Sequence, residues 1–169
     1  MNTNNFSKEC FYDALISLYK ENDFCSINVK QICKKAGYNR STFYRHYTSK
    51  EDIILQKIKA LVYNWHSSLN NEIGYEFENF VNLFDYFRTN SEAFVIMHKM
   101  NLDDELLLLS REYLYNNFEV EEYDSVFINN GILAVVFSWI DNGMKESNEY
   151  MAKLLSKYLN YGNVISKKD

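Results

Sequence analysis

The chain has 169 residues, of which 47% are apolar and 24% charged, and its formal net charge is −5. This length and apolar content predict a folded globular protein with one substantial core or two small ones. The sequence contains no Pro and only five Gly, which favours long helices over a turn-rich sandwich or barrel, and the lack of a GxGxxG or P-loop motif argues against a nucleotide-binding sheet.

The charge is divided unevenly along the chain. Residues 1–60 carry ten Lys/Arg and six Asp/Glu, for a net +4, whereas residues 61–169 carry eight and seventeen, for a net −9. A basic front on an acidic body is typical of a protein that contacts DNA at one end only. The alternative interpretation is a chance clustering of basic residues.

The first predicted helix runs from about Ser7 to Lys20, after a disordered tail of residues 1–6. A connecting loop over residues 22–27 follows it. The buried stripe of this helix consists of Phe11, Ala14, Leu15 and Leu18.

The next stretch predicts two short helices joined by a tight turn. Asn28 is a good N-cap for the first, and Gln31 is placed to reach back to the cap's backbone N–H. Gly37 follows, where a helix usually needs a left-handed residue to stop. Asn39 can cap the second helix, Arg40 to Tyr47. Two helices with a short Gly-containing turn, the second one exposed, form the helix-turn-helix of DNA-binding proteins.

The charge of this motif supports the same interpretation. No acidic residue occurs from Phe24 to Lys50, a stretch that contains six Lys/Arg. A helix whose outward face carries only donors and cations suits a polyanion with readable base edges. Arg40 and Ser41 begin the second helix, the part that usually reaches base edges, and Arg40 can bind guanine in a bidentate pair. Lys50 begins the next helix, where its charge and the helix dipole both attract a phosphate.

The same stretch resembles the TetR family of bacterial transcription regulators over about residues 8–60. The resemblance consists of a capped helix, Ala-Gly, a turn and the run STFYRHYTSKEDII. The matching positions are Val29, Ile32, Ala36, Gly37, Thr42, Phe43, Tyr44, His46, Tyr47, Lys50, Glu51 and Ile54. Tyr47 departs from the Phe that the family most often has, and Cys33 from its frequent Ala. The resemblance implies an all-α, TetR-like fold of about nine helices, with a three-helix DNA-binding domain over 1–50 and a helical ligand and dimerisation domain over 51–169.

The resemblance also implies site residues. Thr42, Tyr44 and His46 match positions that commonly touch the DNA backbone in the family. With the residues chosen by charge and position, the predicted DNA-binding set is Asn28, Lys30, Arg40, Ser41, Thr42, Tyr44, Arg45, His46 and Lys50. Lys34 and Lys35 are expected to add weaker phosphate contacts. The alternative is a solvated polar face, with Tyr44 and His46 packing inside.

The rest of the chain predicts six helices. The first begins at Ser49 or Lys50, with Ser49 as its cap and Asp52 at the reciprocal position, and its 3.6-residue period continues to about Asn70. It therefore belongs to both domains. The other five are predicted over 76–89, 91–100 with Ser91 as its cap, 103 or 104 to 118, 122–145 and 148–161.

The helix predicted over 122–145 is unusual because every position from Ile132 to Phe137 is apolar. Such a segment needs cover on two sides, which a second subunit can supply. The last two long helices typically form the homodimer interface in the TetR family, and this sequence resembles that arrangement. The alternative is a helix buried in the centre of its own monomer. The predicted interface residues are Ile132, Val135, Val136, Trp139, Ile140, Met151, Leu155 and Tyr158.

Many aromatic residues in the body are candidates for a pocket that binds a flat apolar effector, although ordinary core packing explains them equally. The candidate pocket residues are Trp65, Phe84, Phe87, His98, Tyr113, Phe127 and Asn130. We find no persuasive catalytic set, no metal-ligand spacing among the three His or three Cys, and no GxSxG motif. We therefore expect no enzyme, no cofactor and no metal.

The location is predicted from the N-terminus and the thiols. The polar N-terminus lacks the apolar core of a signal peptide. An odd number of Cys without a secretion signal suggests a reducing cytoplasm. The longest apolar stretch, Ile132 to Phe137, is far too short to span a membrane.

The main hypothesis is a homodimeric transcription regulator that binds a pseudo-palindromic double-stranded operator. Repression is the favoured mode, with a small apolar or aromatic effector or a protein partner acting on the C-terminal domain. One alternative is a promoter-associated coactivator or corepressor whose helical body binds a partner protein. Another is an enzyme or small-molecule carrier that uses the aromatic body, against which the basic motif argues.

Overall fold

The structure is a computed structural model that describes residues 3–68, 72–73, 77–117, 121–159 and 165–166. These residues contain nine α-helices, one short 3₁₀ turn and one pair of two-residue strands, so the predicted all-α class and number of helices are confirmed. The helices are α1 (Thr3–Tyr19), α2 (Val29–Ala36), α3 (Arg40–His46), α4 (Lys50–Ser68), α5 (Phe77–Thr89), α6 (Ser91–Lys99), α7 (Asp103–Asn117), α8 (Glu122–Asp141) and α9 (Asn148–Leu159). The 3₁₀ turn is Phe24–Ser26, and strand β1 (Glu72–Ile73) pairs antiparallel with β2 (Ile165–Ser166).

The chain divides into two compact units, Met1–Ile58 and Lys59–Asp169. The division falls inside α4, which continues without interruption from one unit into the other. The first two turns of α4 thus belong to the first unit, whereas the predicted division at residue 50 assigns them to the second domain.

The first unit is built around Phe11 of α1. Its ring packs edge-on against Phe43 of α3 at 5.3 Å between centroids and against Tyr47 at 6.1 Å. Phe11, Ile32, Phe43 and Ile54 are fully buried, and each such side chain contributes about 1.5–3 kcal/mol by leaving water. One apolar stripe from each of four helices therefore forms this small core.

The predicted caps of α2 are confirmed. The Asn28 side chain accepts from the Gln31 backbone N–H at 3.1 Å, and the Gln31 side chain accepts from the Asn28 N–H at 2.8 Å. Gly37 has φ +75°, the left-handed conformation in which glycine has no steric cost. At the start of α4, the Asp52 N–H donates to Ser49 Oγ at 3.3 Å, while the Asp52 carboxylate accepts from the N–H of Thr48 rather than of Ser49.

Several predicted helix boundaries are wrong. Helix α1 begins at Thr3, so the predicted tail of residues 1–6 is helical from its third residue. Asn90, not Ser91, occupies the N-cap position of α6. Helix α8 ends at Asp141, four residues before the predicted end, because Gly143 turns the chain into the left-handed region with φ +74°. Residues 69–70, 118 and 160–161, at the predicted ends of other helices, lie outside the described residues.

The core of the second unit is aromatic. The Phe84 ring meets Trp139 edge-on at 5.1 Å, and Phe87 packs against Phe94 at 4.4 Å. All four side chains are buried. Helices α5, α6 and α8 therefore share one core, onto which α9 also packs through its contacts with α5.

Most of the predicted dimer residues belong to this core. The structure buries Val136, Trp139, Ile140, Met151 and Leu155 inside their own unit. Burial within the monomer is what the alternative interpretation expects, but Trp139 and Met151 also line a groove between α8 and α9, so the predicted interface stays a prediction. Of the others, Ile132 and Val135 are half-buried. Tyr158 remains 64% exposed.

His98 connects three helices of the second unit. Its Nδ1 bonds to the Asp103 carboxylate at 2.8 Å, its Nε2 bonds to Asp141 at 3.1 Å, and its ring stacks on Phe137 at 5.0 Å. Burial lowers the pKa of His98, but the hydrogen bonds to the two carboxylates outweigh burial and leave the pKa raised.

His66 of α4 is in the opposite situation. It is buried, its ring stacks on Tyr113 at 3.9 Å, and its Nδ1 has no hydrogen-bond partner among the described residues. The Tyr113 hydroxyl donates to the His66 backbone carbonyl at 3.2 Å. Burial lowers the pKa of His66 to about 4 from an ordinary 6.5, because removal from water disfavours the charged imidazole.

Acid should therefore destabilise the protein through His66. As the pH falls, the unfolded chain takes up this proton before the folded one does, so stability is full above pH 6.5 and declines between pH 6.5 and about 4. The loss amounts to at most about 3 kcal/mol. Denaturant unfolding over this range should show a smaller loss in His66→Gln than in the unaltered protein, and an equal loss in both would contradict the assignment.

His98→Gln is the matched control for this experiment. The raised pKa of His98 stabilises the protein below pH 6.5, and this contribution disappears as the pH rises through the raised value. His98→Gln should therefore make the acid loss larger, the opposite of the effect of His66→Gln.

Candidate nucleic-acid interface

Helix α3 is held at its start by the side chain of Asn39. The Asn39 side-chain oxygen, Oδ1, accepts hydrogen bonds from the Thr42 N–H, the Thr42 hydroxyl and the Ser41 hydroxyl, each at 2.8 Å. The predicted cap is thus confirmed. These bonds fix the hydroxyls of Ser41 and Thr42 beside the first turn of the helix.

The two sides of α3 differ in composition. Phe43 is fully buried on the inner side, whereas Arg40, Ser41 and Arg45 are exposed. Tyr44 is 58% exposed, and its ring is supported edge-on by Phe43 at 5.3 Å. The outer face of α3 therefore presents two guanidinium groups, a hydroxyl and a phenol without any acid on the helix.

His46 lies on the inner side. It is only 9% exposed, and its Nε2 forms a 2.8 Å hydrogen bond with the Ser7 hydroxyl of α1. Burial lowers its pKa, and the positive charges of Arg45 and Lys8 lower it further. A side chain that contacts DNA must be exposed, so the burial of His46 contradicts its prediction as a DNA contact. His46 instead ties α3 to α1 as a neutral imidazole.

Lys50 is also committed to its own unit. Its ammonium donates to the backbone carbonyls of Phe24 at 2.6 Å and Ile27 at 2.8 Å, and it lies 4.5 Å from the centroid of the Phe24 ring. It also lies 3.4 Å from the Cys25 carbonyl, so the three donors of the ammonium all have carbonyl partners at or beside the 3₁₀ turn. In this geometry the ammonium holds the connection between α1 and α2, and is not directed outward as the prediction requires.

The other predicted residues have mixed positions. Asn28 is exposed, but its side chain is engaged as the cap of α2. Lys30, Lys34 and Lys35 are exposed on α2, and Thr42 is half-buried. The structure brings Arg40, Ser41, Thr42, Tyr44 and Arg45 together on one helix, with the three lysines on the neighbouring one.

Gln56 of α4 is a residue that sequence reasoning missed. Its amide donates to the His46 backbone carbonyl at 2.9 Å, and its carbonyl accepts from Lys8 at 2.9 Å. It thus satisfies the carbonyl of the last residue of α3 and links that end to α1 and α4. The only sign of this role in the sequence is a polar residue at a half-buried helix position. That sign does not identify the groups to which Gln56 bonds.

Both units match family models. Residues 11–56 match the family described as "Bacterial regulatory proteins, tetR family", and residues 76–161 match one described as "Transcriptional regulator C-terminal region". The second match alone covers half of the chain. The protein belongs to the TetR family. As a TetR-family protein it is a DNA-binding transcriptional regulator, a class of proteins that are not enzymes.

Two solved structures of other proteins share the fold of this chain. The chain is similar to a TetR transcriptional regulator from Streptococcus agalactiae 2603V, with 22% identity and a TM-score of 0.65, covering 93% of this chain and 95% of the other. It is also similar to the fatty acid degradation regulator FadR from Bacillus halodurans, with 21% identity and a TM-score of 0.56, covering 92% and 95%. At these identities the similarity establishes the TetR-like fold alone. No curated protein sequence matches the chain.

The predicted pocket residues of this TetR-family chain differ in burial and in their contacts. Phe84 and Phe87 are core residues, and His98 is held between two carboxylates. Phe127 is 76% exposed, and the exposed amide of Asn130 donates back to the carbonyl of Val126. An effector pocket formed by these residues stays a prediction.

The two remaining members lie in ring pairs. Trp65 packs against Tyr86 at 5.1 Å, and Tyr113 stacks on His66.

In the described part of the chain, no three His, Cys, Asp or Glu side chains are grouped to hold a metal ion. One described helix, α8, is long and apolar enough to cross a membrane, which by itself is a weak indication because a core helix passes the same test.

Arg45 and Lys50 should respond differently to substitution. Arg45→Met removes an exposed cation, so the slope of log K against log salt for a nonspecific duplex should become shallower by about 0.9. Lys50→Met removes the charge that binds the carbonyls of Phe24, Cys25 and Ile27, so it should lower the unfolding free energy by about 1–2 kcal/mol and leave the slope unchanged. A shallower slope for Lys50→Met at unaltered stability would mean that Lys50 leaves its carbonyls to bind phosphate.

Proposed function

We propose that this TetR-family regulator is a homodimeric repressor that acts in the cytoplasm and inserts α3 into the major groove of a pseudo-palindromic operator. The observation that supports this most is the outer face of α3, where Arg40, Ser41, Tyr44 and Arg45 are exposed together. Burial of Phe43 and His46 fixes which side faces outward. Donors and cations on a fixed, exposed helix suit base edges and phosphates.

The proposed contacts with bases and with phosphates come from different positions on the helices. Arg40 lies at the first position of α3, where its planar fork can pair with guanine O6 and N7. Tyr44 and Arg45 lie near the end of the helix, and Lys30 lies on α2, all suited to phosphate. The proposal leaves out His46 and Lys50 as contacts and assigns them to positioning α3 and the α1–α2 connection.

The homodimer is supported by an exposed apolar surface on α8 and α9. Tyr123 and Phe127 on α8 are 85% and 76% exposed, and Tyr150 and Tyr158 on α9 are 60% and 64% exposed. Exposed aromatic residues in such number on two successive helices are typical of an interaction site. A groove of about 370 Å³ lies between these helices, lined by Ala134, Val135, Ser138, Trp139, Asn142, Glu146, Tyr150, Met151 and Leu154.

Family membership favours a second copy as the occupant, because the TetR family implies dimerisation. A two-fold axis across the surface would bring the same exposed residues of both copies together. The same symmetry presents two α3 helices to two half-sites about one turn of DNA apart.

Regulation by a ligand or partner is the last part of the proposal. Buried polar atoms of the second unit, His66 Nδ1 and Ser125 Oγ, have no hydrogen-bond partner among the described residues, and a bound polar group would satisfy such atoms. A ligand that prefers one arrangement of the dimer would shift the population and release DNA. Helix α4, which belongs to both units, is the covalent route for this coupling.

Selection of bound sequences from random DNA, followed by titration of every single-base variant, tests the role of α3. Arg40→Ala should lose about 1–3 kcal/mol of binding free energy and lose discrimination at one base pair in each half-site. The reason is that a bidentate pair reads one base. Equal weakening on all sequences would show that Arg40 contacts phosphate, and unchanged binding would contradict the proposed interface.

Sedimentation equilibrium tests the dimer. Phe127→Asp should raise the dimer dissociation constant by at least about tenfold, because it replaces an interface anchor with a charge. Tyr63→Asp is the matched control, since Tyr63 is a similarly exposed aromatic residue, 67% exposed, on α4. A monomeric unaltered protein, or equal effects of the two substitutions, would contradict the proposed dimer surface.

A further inference from the structure

One arginine holds the turn between α8 and α9. Arg88 of α5 donates from Nη1 to the Met144 carbonyl at 3.1 Å, from Nη2 to the Glu146 carbonyl at 2.8 Å, and from Nε to the Asn148 side-chain oxygen at 2.9 Å. Asn148 in turn donates to Asp85 at 3.3 Å. All three nitrogens of the guanidinium group therefore bind the turn and the first residue of α9.

The same guanidinium group contacts the core residue next to the turn. Its carbon lies 4.7 Å from the centroid of the Trp139 ring, a favourable distance for a cation over an indole. The Trp139 Nε1–H donates to the Glu146 carbonyl at 3.2 Å. Arg88 and Trp139 thus share one acceptor, so the turn, α8 and α5 are joined at a single point.

The turn needs such support because its backbone is unusual. Gly143 and Met144 both lie in the left-handed region, with φ of +74° and +53°. The Met144 N–H donates to the Trp139 carbonyl at 2.8 Å, and the Met144 carbonyl accepts from Arg88, so both backbone groups of this residue are bonded. A non-glycine residue in this region costs about 1 kcal/mol or more and persists where surrounding contacts fix it.

The residues that Arg88 fixes also shape the proposed dimer surface. Trp139 and Glu146, both bound to Arg88, line the groove on that surface, together with Asn142 at the start of the turn. The contacts of Arg88 therefore determine where α9 begins relative to α8 at this end of the groove.

We propose that Arg88 is a positioning residue for self-association: it holds the α8–α9 turn in the shape that a second copy of the chain recognises. This inference rests on the proposed homodimer. Lysine cannot replace Arg88 fully, because a single ammonium group lacks the planar fork that reaches Met144, Glu146 and Asn148 together.

Sedimentation equilibrium of the full chain tests this role with Arg88→Gln, Arg88→Lys and Asn148→Ala. Arg88→Gln should raise the dimer dissociation constant about tenfold, and the other two should raise it by smaller factors. Hydrogen exchange at the amides of Gly143 and Met144 should become faster in the same order. Arg111→Gln, which removes an exposed arginine from α7, is the matched control and should behave as the unaltered protein.

The outcomes separate the two claims. A monomeric unaltered protein would overturn the proposed dimer and, with it, this inference. If the unaltered protein is a dimer and Arg88→Gln leaves the dissociation constant unchanged, the role of Arg88 alone is overturned. If Arg88→Gln fails to fold, unchanged dissociation constants in Arg88→Lys and Asn148→Ala overturn the same role. Reduced thermal stability with an unchanged dissociation constant would likewise reduce Arg88 to a structural residue and overturn the inference.

Discussion

Helix α3 depends on the contact between Phe43 and Phe11. A helix of seven residues is too short to be stable alone, because nucleation costs more than so few hydrogen bonds return. It persists because Phe43 is completely buried against the edge of Phe11 and because Asn39 and Gln56 satisfy backbone groups at its two ends. The exposed cations have a fixed direction only as a consequence of this packing.

The packing also separates neutral from charged groups on α3. His46 points inward and its pKa is lowered, so the inner side of the helix carries no charge that needs a counterion. Arg40 and Arg45 point outward into water, where they cost little in the free protein and can release counterions when DNA binds. A protein with a net charge of −5 can therefore present a local surface suited to a polyanion.

The helix caps were predictable from the sequence, whereas hydrogen bonds between residues far apart in the chain were not. The caps at Asn28, Asn39 and Gly37 depend on neighbours within four residues, which is why sequence patterns identify them. His46 bonds to Ser7, 39 residues away. The role of Lys50 likewise depends on a 3₁₀ turn at Phe24 that periodicity does not reveal.

The apolar run of α8 illustrates the same limit. Hydrophobicity from Ile132 to Phe137 indicates that several sides of the helix avoid water, but it does not say which surface covers each side. Phe84 of α5 covers Trp139, so the largest apolar side chain of α8 is buried within the monomer. Phe127 lies on another side of the same helix and remains exposed.

Photocrosslinking to DNA tests the central claim most directly. A duplex selected by the protein and substituted with 5-iodouracil would be irradiated in the complex, and the attached peptide identified by mass spectrometry. The account predicts attachment within α3, at Tyr44, whose ring is 58% exposed on the outer face. Attachment confined to the second unit, with none between Arg40 and Arg45, would contradict it.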